Sequence, residues 1–578
     1  MGFRRGCCLG AHSDIPRPAD ARDPGAHRCR KMRSRLGGRR TIAGLTSVLT
    51  ALAVVAGLLA LGNLTTGGER ASAAAPVADQ PTQGFTTQVS GVLPGDTSGD
   101  VTPTVETPSE PPSFKNVVMV LADDLDWKLF EQIPRLRELR ERGMTFTNHT
   151  VVDSLCCPSR VTILRGQYIH NHEIISNIEA TGGGWPTFKK LGEHKDNLPV
   201  WLDDAGVTTA LYGKYLNEYP TRPGGIRYVP PGWDEWAVPI SRGDSYTGYS
   251  YTLNDNGDLI RYGTKPEDFL NDVLNDKART FIAETDEPFF LYLSNYTPHK
   301  PFATAPRHLG THAGTVAPRT PAHNSYGENE PDWLAEFPKL SDWKISELDK
   351  VWRKRAQSAE TVADSVEAVL DELEASGKAD ETLVVLTSDN GYHVGEYRMP
   401  KGKRTPYAAD TVVPMIAIGP GVPAGVEVEE MTSTIDLAPT FTEILGAQAP
   451  AWVDGRSMVP FLAAGQAPPR WRNAALSESI GETNKNDPDY LPYIPPPFSA
   501  LRTPRWMYVE YDDGSRALYD QLTDPYELRN IVDAMQAQDP AFVASLSDQL
   551  AQLDACAGPS CREADAITIA DPLPPGSP

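Results

Sequence analysis

In Asn116-Val117-Val118-Met119-Val120-Leu121 a polar residue leads into an unbroken apolar run, half of the stretch being valine, and the run stops abruptly at Asp123-Asp124-Leu125-Asp126. A strand without polar alternation is one buried on both faces, as in a parallel sheet covered by helices. The pattern recurs. Thr382-Leu383-Val384-Val385-Leu386-Thr387 ends in Ser388-Asp389-Asn390-Gly391, and Phe289-Phe290-Leu291-Tyr292-Leu293 leads to Asn295 and His299. Thr208-Thr209-Ala210-Leu211-Tyr212 leads to Gly213-Lys214, and Val413-Pro414-Met415-Ile416-Ala417-Ile418 closes on Gly419-Pro420-Gly421. With helices expected over residues 130–142, 265–285 and 348–375, this is an α/β domain: a large mixed, mostly parallel sheet flanked by helices. Ligands of such sheets bind beyond the carboxyl ends of the strands, where all these polar residues lie. They predict a single cluster.

Charge suggests what the cluster holds. Asp123, Asp124 and Asp389 brought together repel one another unless a cation neutralises them. Asn390 adds a neutral oxygen, and an all-oxygen set suits a hard cation such as Ca²⁺ or Mg²⁺. Taken singly, Asp123-Asp124 reads equally well as a helix cap and Asp389-Asn390-Gly391 as an ordinary turn.

A second motif carries reactivity. In Cys156-Cys157-Pro158-Ser159-Arg160, Pro158 fits the first turn of a helix, where its missing N–H costs nothing. The cysteines then sit at a helix N-terminus, which favours anionic chemistry, with Arg160 one turn after Cys156. A pair of buried structural cysteines fits the same five residues.

Cys-x-Pro-Ser-Arg, followed by Leu164 and Gly166, resembles the signature of the type I (formylglycine-dependent) sulfatases of the alkaline phosphatase superfamily, although their usual Leu-Thr-Gly reads Leu164-Arg165-Gly166 here. The resemblance implies that Cys156 is oxidised to formylglycine by a formylglycine-generating enzyme and becomes the nucleophile. It implies Ca²⁺, with Mg²⁺ as the alternative, on Asp123, Asp124, Asp389 and Asn390, the modified Cys156 completing the sphere. Arg160, Lys214 and Lys403 become sulfate-holding groups and His299 a proton donor to the leaving alcohol. Lys403 is preferred to Lys401 because its distance to Val413-Pro414 matches the family spacing. Many sulfatases carry a His two or three residues after the first lysine, where this chain has Leu216 and Asn217. Asn217 is left as a substrate hydrogen-bonder, and His393, three residues beyond Asn390, as a substrate contact.

His170-Asn171-His172, residues 213–219, Pro231-Gly232-Trp233, Arg353-Lys354-Arg355 and Asp389-Asn390-Gly391-Tyr392-His393 look like the N-acetylglucosamine-6-sulfatase branch. The expected reaction is hydrolysis of a sulfate monoester on a sulfated carbohydrate or aryl sulfate. A phosphodiesterase or phosphonate monoester hydrolase on the same scaffold, and a non-catalytic glycan-binding protein, are the competing readings.

The remaining sequence sets the frame. A chain of 578 residues is long enough for two domains, and a net charge of −22 argues against a nucleic-acid binder. Attraction for an anionic substrate must then be local to the site. Residues 1–75 read as an N-terminal extension and export signal: Met32 (the expected true start), four arginines, an apolar run over 41–61 and small residues at 71–75. The run can span a bilayer if uncleaved, and Arg39-Arg40 is a poor twin-arginine match. The expected location is outside the cytoplasm, secreted or at the cell surface. Residues 76–112 read as a Pro/Thr/Ser-rich linker, 113–462 as the catalytic domain, and 463–578 as a smaller α+β subdomain on an antiparallel sheet. Its mark is a hairpin, Arg505 to Tyr511 and Arg516 to Asp520 around Asp512-Asp513-Gly514. Cys556 and Cys561 are placed to close a small disulfide loop.

Overall fold

Strand β1 (Asn116–Ala122) is buried along its whole length. Val117, Met119 and Leu121 enter one core and Val118, Val120 and Ala122 another, the period of two expected when both faces are covered. The structure is a computed structural model. It describes residues 113–574 apart from 221–224, 241–242, 287, 336, 482–483, 488 and 491–493. The expected export signal and the linker at 76–112 lie outside the described residues.

The large sheet adds β2 (Met144–Phe146), β3 (Thr208–Gly213), β4 (Glu235–Pro239), β5 (Thr252–Asp255), β6 (Asp258–Arg261), β7 (Phe289–Ser294), β8 (Thr382–Ser388), β9 (Met415–Ile418) and β10 (Glu427–Val428). Their order is β10-β2-β9-β8-β1-β7-β3-β4-β5-β6. The centre, β8-β1-β7-β3-β4, is parallel throughout. Antiparallel pairs flank it on both sides, β9 against β8 and β2, and β5 against β4 and β6. All five central strands therefore present their carboxyl ends on one side, and the site lies there.

Helix α1 (Cys156–Arg165) covers one face and is buried at every position. Cys157, Val161, Ile163 and Leu164 join the first core. Helices α2 (Leu270–Glu284) and α3 (Asp342–Ala375) cover the other face. Along α3, Leu348, Trp352, Ala359, Val362, Val366 and Leu373 recur at helical spacing in the second core. Full burial of each large apolar side chain contributes about 1.5–3 kcal/mol.

Three helix boundaries depart from expectation. The helix expected over 130–142 is three short ones, Trp127–Gln132, Pro134–Arg137 and Leu139–Arg142, because Pro134 has no N–H to continue the first. That over 265–285 begins regularly only at Leu270, after a short turn at Pro266–Asp268. The third starts at Asp342, where the Ser341 side chain accepts from the Lys344 N–H at 3.3 Å.

In the C-terminal part, β11 (Ala475–Ser479), β12 (Phe498–Arg502), β13 (Trp506–Tyr511) and β14 (Arg516–Asp520) form an antiparallel meander. Gly514 turns the β13–β14 hairpin at φ 85°, a conformation that favours glycine. Helix α4 (Pro540–Asp554) packs Leu546 and Leu550 in one core with Leu501, Tyr508 and Leu518 of that sheet. Cys556 and Cys561 are bonded at 2.02 Å just before and within α5 (Pro559–Ala564). Arg472 fastens this part to the large domain. Its Nε reaches Asp565 at 2.8 Å and its Nη2 reaches Asp436 at 2.9 Å, all three side chains being fully buried. Among the described residues, no helix is long and apolar enough to cross a membrane.

Candidate active site

The ends of β1 and β8 are stitched together. The Asp389 N–H donates to the Ala122 carbonyl at 3.2 Å, the Asp124 N–H to Asp389 Oδ1 at 3.2 Å, and the Leu125 N–H to Ser388 Oγ at 2.8 Å. Asp124 adopts a left-handed backbone, φ 70°, uncommon for a residue with a side chain and a mark of functional sites. Arg355, buried on α3, holds the turn from behind. It donates to Asp126 Oδ2 at 2.9 Å and to the Asp124 carbonyl.

Cys156 is the first residue of α1, and its Sγ lies 3.4 Å from Asp123 Oδ1 and 2.8 Å from Lys403 Nζ. Lys403 also donates to Asp124 Oδ1 at 2.6 Å, and Lys214, just beyond β3, donates to Asp123 Oδ2 at 2.6 Å. Asn390 Nδ2 donates to Asp124 Oδ1 at 2.7 Å. Arg160 lies deeper: Nε donates to Asp389 Oδ2 at 2.8 Å, and Nη1 to the Lys214 carbonyl at 2.9 Å and Ser294 Oγ at 2.7 Å. Only its Nη2 is buried without a hydrogen-bond partner, 3.9 Å from Asp123. His299 Nε2 is 3.9 Å from Asp124 Oδ2.

The structure thus brings together nine of the expected residues: Asp123, Asp124, Cys156, Arg160, Lys214, His299, Asp389, Asn390 and Lys403. Asn217 and His393 stand one step back, in separate cavities. Asn217 lines a cavity of about 250 Å³ with Lys214, Tyr246 and Tyr296, and its Oδ1 is buried without a partner. His393 lines a cleft of about 570 Å³ with Lys403, its Nδ1 3.0 Å from the Asp410 carboxylate. Lys401, the alternative to Lys403, lies over the Phe302 ring at 5.8 Å.

One residue escaped sequence reasoning. Asp489, in the loop between β11 and β12, reaches into the cluster from the C-terminal part. Its Oδ1 lies 3.1 Å from His299 Nε2 and 3.2 Å from Lys300, and its Oδ2 lies 3.3 Å from Lys403 and 3.7 Å from Cys156 Sγ. Nothing in Asn486-Asp487-Pro488-Asp489 distinguishes that carboxylate from a turn former.

The electrostatics are those of opposed charges out of water. Burial works against ionising Asp123, but Lys214, His299 and Arg160 outweigh it and hold its carboxyl well below the usual range. For Asp389, burial and Asp123 prevail over Arg160 and push the carboxyl up. Burial would lower His299, yet Asp123, Asp124 and Asp489 raise it, favouring the imidazolium. Burial and Asp123 push the Cys156 thiol well up despite both lysines. As a plain thiol, Cys156 is therefore protonated and a poor nucleophile. Ligand atoms of Asp123, Asp124, Cys156 and His299 lie within 4.8 Å of one another. With Asp389 and the Asn390 amide oxygen alongside, the oxygen donors match a hard cation.

Comparison with known proteins agrees with this geometry. The family model described as Sulfatase matches residues 115–447. A second, the C-terminal model of N-sulphoglucosamine sulphohydrolase, matches 395–555. The N-acetylglucosamine-6-sulfatase of Capra hircus is 33% identical over 481 residues, covering 77% of this chain and 84% of its own. A protein solved in complex with its substrate D-glucosamine-2-N,6-O-disulfate superposes with a TM-score of 0.65 at 21% identity, covering 78% of this chain and 99% of that one. The phosphonate monoester hydrolase of Agrobacterium radiobacter gives a TM-score of 0.59 at 22% identity, covering 76% and 95%. These two likenesses speak to fold alone.

Proposed function

Because this chain belongs to the sulfatase family and is a sulfuric ester hydrolase of sulfated sugars, we propose that it desulfates 6-sulfated N-acetylglucosamine units with a nucleophile made from Cys156. The observation that carries this reading is the placement of Cys156 at the head of α1, its Sγ within 3.4 Å of Asp123 and 2.8 Å of Lys403. The sugar assignment rests on the N-acetylglucosamine-6-sulfatase relative.

Formylglycine at Cys156, installed by a formylglycine-generating enzyme, would supply a hydrated-aldehyde oxygen as nucleophile, and a divalent cation, Ca²⁺ or Mg²⁺, on Asp123, Asp124, Asp389 and Asn390 would withdraw charge from the sulfuryl group. The chain's own groups do the rest. Lys214, held on Asp123, and Lys403, held beside Cys156, bind the sulfuryl oxygens, prearranged where charge accumulates. Arg160 is a positioning residue, since its guanidinium is engaged by Asp389, Lys214 and Ser294. His299, kept protonated by its three carboxylates, delivers a proton from Nε2 to the departing alcohol oxygen, and Asp489 fixes that ring. Asn217 Oδ1 is free to accept from a sugar hydroxyl.

Charge balance explains how so acidic a protein attracts an anion. Four carboxylates, Asp123, Asp124, Asp389 and Asp489, meet five cationic groups, Arg160, Lys214, His299, Lys300 and Lys403. A divalent cation would add to that positive surplus. We place the mature enzyme outside the cytoplasm, on the strength of the signal-like N-terminus.

Protein co-produced with the converting enzyme is the test. The Cys156 peptide should carry the mass of formylglycine, and free sulfate should appear from 6-sulfated N-acetylglucosamine. Cys156→Ala should remove turnover while leaving the melting temperature within a few degrees. Full activity with an unmodified thiol would sink the assignment. Phosphonate or phosphodiester turnover far above sulfate release would sink the substrate class.

A further inference from the structure

The cleft beside His393 and Lys403 is larger than the sulfate cluster needs, and its charge is one-sided. Lys339, Lys344, Arg398 and Lys401 line it, and among the described lining residues there is no Asp or Glu. None of these four cations forms an ion pair with a described carboxylate. Glu347, one turn along α3 from Lys344, is ion-paired with Lys350 at 2.6 Å and feels Lys344 and Lys354 only from beyond ion-pair distance. Lys401 is crowded by like charge: burial, then Lys300, Lys344, Lys354 and Arg355 push its ammonium down. Arg398 has a left-handed backbone, φ 65°, and a buried Nε without a partner. Its guanidinium lies 5.1 Å from the centre of the Tyr326 ring. Unpaired cations crowded around a cleft raise each other's energy, and an anion entering the cleft relieves it.

The floor is of another character. Phe337, Leu340, Met399 and Ile494 supply apolar surface, and Trp343, 71% exposed, precedes Lys344 at the start of α3. An apolar floor with a cationic rim suits a sugar ring, whose C–H face packs on the floor while a charged substituent meets the rim. Lys403 belongs both to this cleft and to the cluster around Cys156, so a ring held here is continuous with the esterified one.

We propose that this cleft is a second anion-binding subsite, taking the carboxylate or sulfate of the sugar next to the one being desulfated, so that the preferred substrate is a polyanionic sulfated saccharide rather than an isolated monosulfated sugar. The inference rests on the sulfatase reading of the Cys156 site. An aryl or alkyl aglycone, held by the floor alone, is the rival occupant.

The test compares two disaccharides, each with 6-sulfated N-acetylglucosamine joined through its reducing end to a uronic acid in one and to neutral galactose in the other. The wild-type enzyme should show at least 10-fold higher kcat/KM on the uronate, a preference that shrinks as salt rises from 0.05 to 0.5 M. In Lys339→Gln/Lys344→Gln the two substrates should come within 3-fold of each other, through loss on the uronate alone. Calorimetry on Cys156→Ala protein reads the same preference in Kd without turnover. Equal kcat/KM for the two disaccharides in wild type, or a preference that survives the double substitution, overturns the subsite. Tighter binding of an aryl glycoside than of the uronate would assign the cleft to the apolar rival. Absence of sulfate release from either ester by formylglycine-bearing protein refutes the nucleophile reading instead, and the calorimetric comparison then still decides the cleft.

Discussion

Asp489→Asn isolates the carboxylate that the C-terminal part lends to the site. The substitution keeps size and shape but removes the charge 3.1 Å from His299 Nε2 and 3.3 Å from Lys403. A hydrogen bond to a charged group contributes about 1.5–3 kcal/mol net, and each 1.36 kcal/mol is one decade. Turnover should fall by about 10- to 150-fold on that basis. The direction with pH is also fixed. His299 is raised in the folded enzyme by Asp123, Asp124 and Asp489 against burial, and its protonated form is the proposed acid. Activity is therefore lost as pH rises through its pKa. With Asp489 neutral, one of the carboxylates that raise His299 is gone, and that loss should begin at lower pH. Initial rates of sulfate release between pH 4 and 9, with thermal melts at each pH, make the measurement. An alkaline limb unmoved from wild type, with kcat within 3-fold, would refute the pairing of Asp489 with the acid.

Three other outcomes are expected. Chelation with EDTA should abolish sulfate release and Ca²⁺ should restore it; full turnover by protein shown metal-free by elemental analysis would contradict the oxygen-ligand site. Arg472→Met should cost about 3–5 kcal/mol in denaturant unfolding, because it leaves Asp436 buried without its cation, while Asp565 keeps only Arg456; a loss under 1 kcal/mol would mean water reaches Asp436. For His170, burial pulls the pKa down, but Glu478 and the Cys556 carbonyl raise it to about 9. The unfolded value being lower, its stabilisation is complete below about pH 6.5 and lost as pH rises through about 9. The melting temperature should thus drop more steeply between pH 7 and 9.5 in wild type than in Glu478→Gln, and parallel curves would contradict this.

Local signals made most of the sheet legible. β1, β7 and β8 are continuous apolar runs, and only two covered faces tolerate that, so their central parallel position follows from the residues. The antiparallel direction of β9 was not legible, since an apolar run does not say which way it points. Pro134 divided a helix whose apolar spacing read as continuous. At the site, residues near strand ends or inside the Cys156 motif were legible because short-range geometry places them together. Asp489 was not: it arrives 333 residues after Cys156, and only tertiary packing brings it there. The role of Arg160 was half legible, since helical spacing puts it near Cys156 but does not reveal that Asp389, Lys214 and Ser294 claim its guanidinium.

Cys156 has no exposed surface, and every residue from Cys156 to Arg165 is buried in helix. On the proposed chemistry, a converting enzyme cannot reach that side chain in the finished fold. Maturation is then a race between oxidation of one side chain and closure of α1 against the sheet. A molecule that closes first is sealed in an inactive form with every other site residue in place. Yield of active enzyme would be set by how long residues 156–160 stay open, and slower folding would raise it.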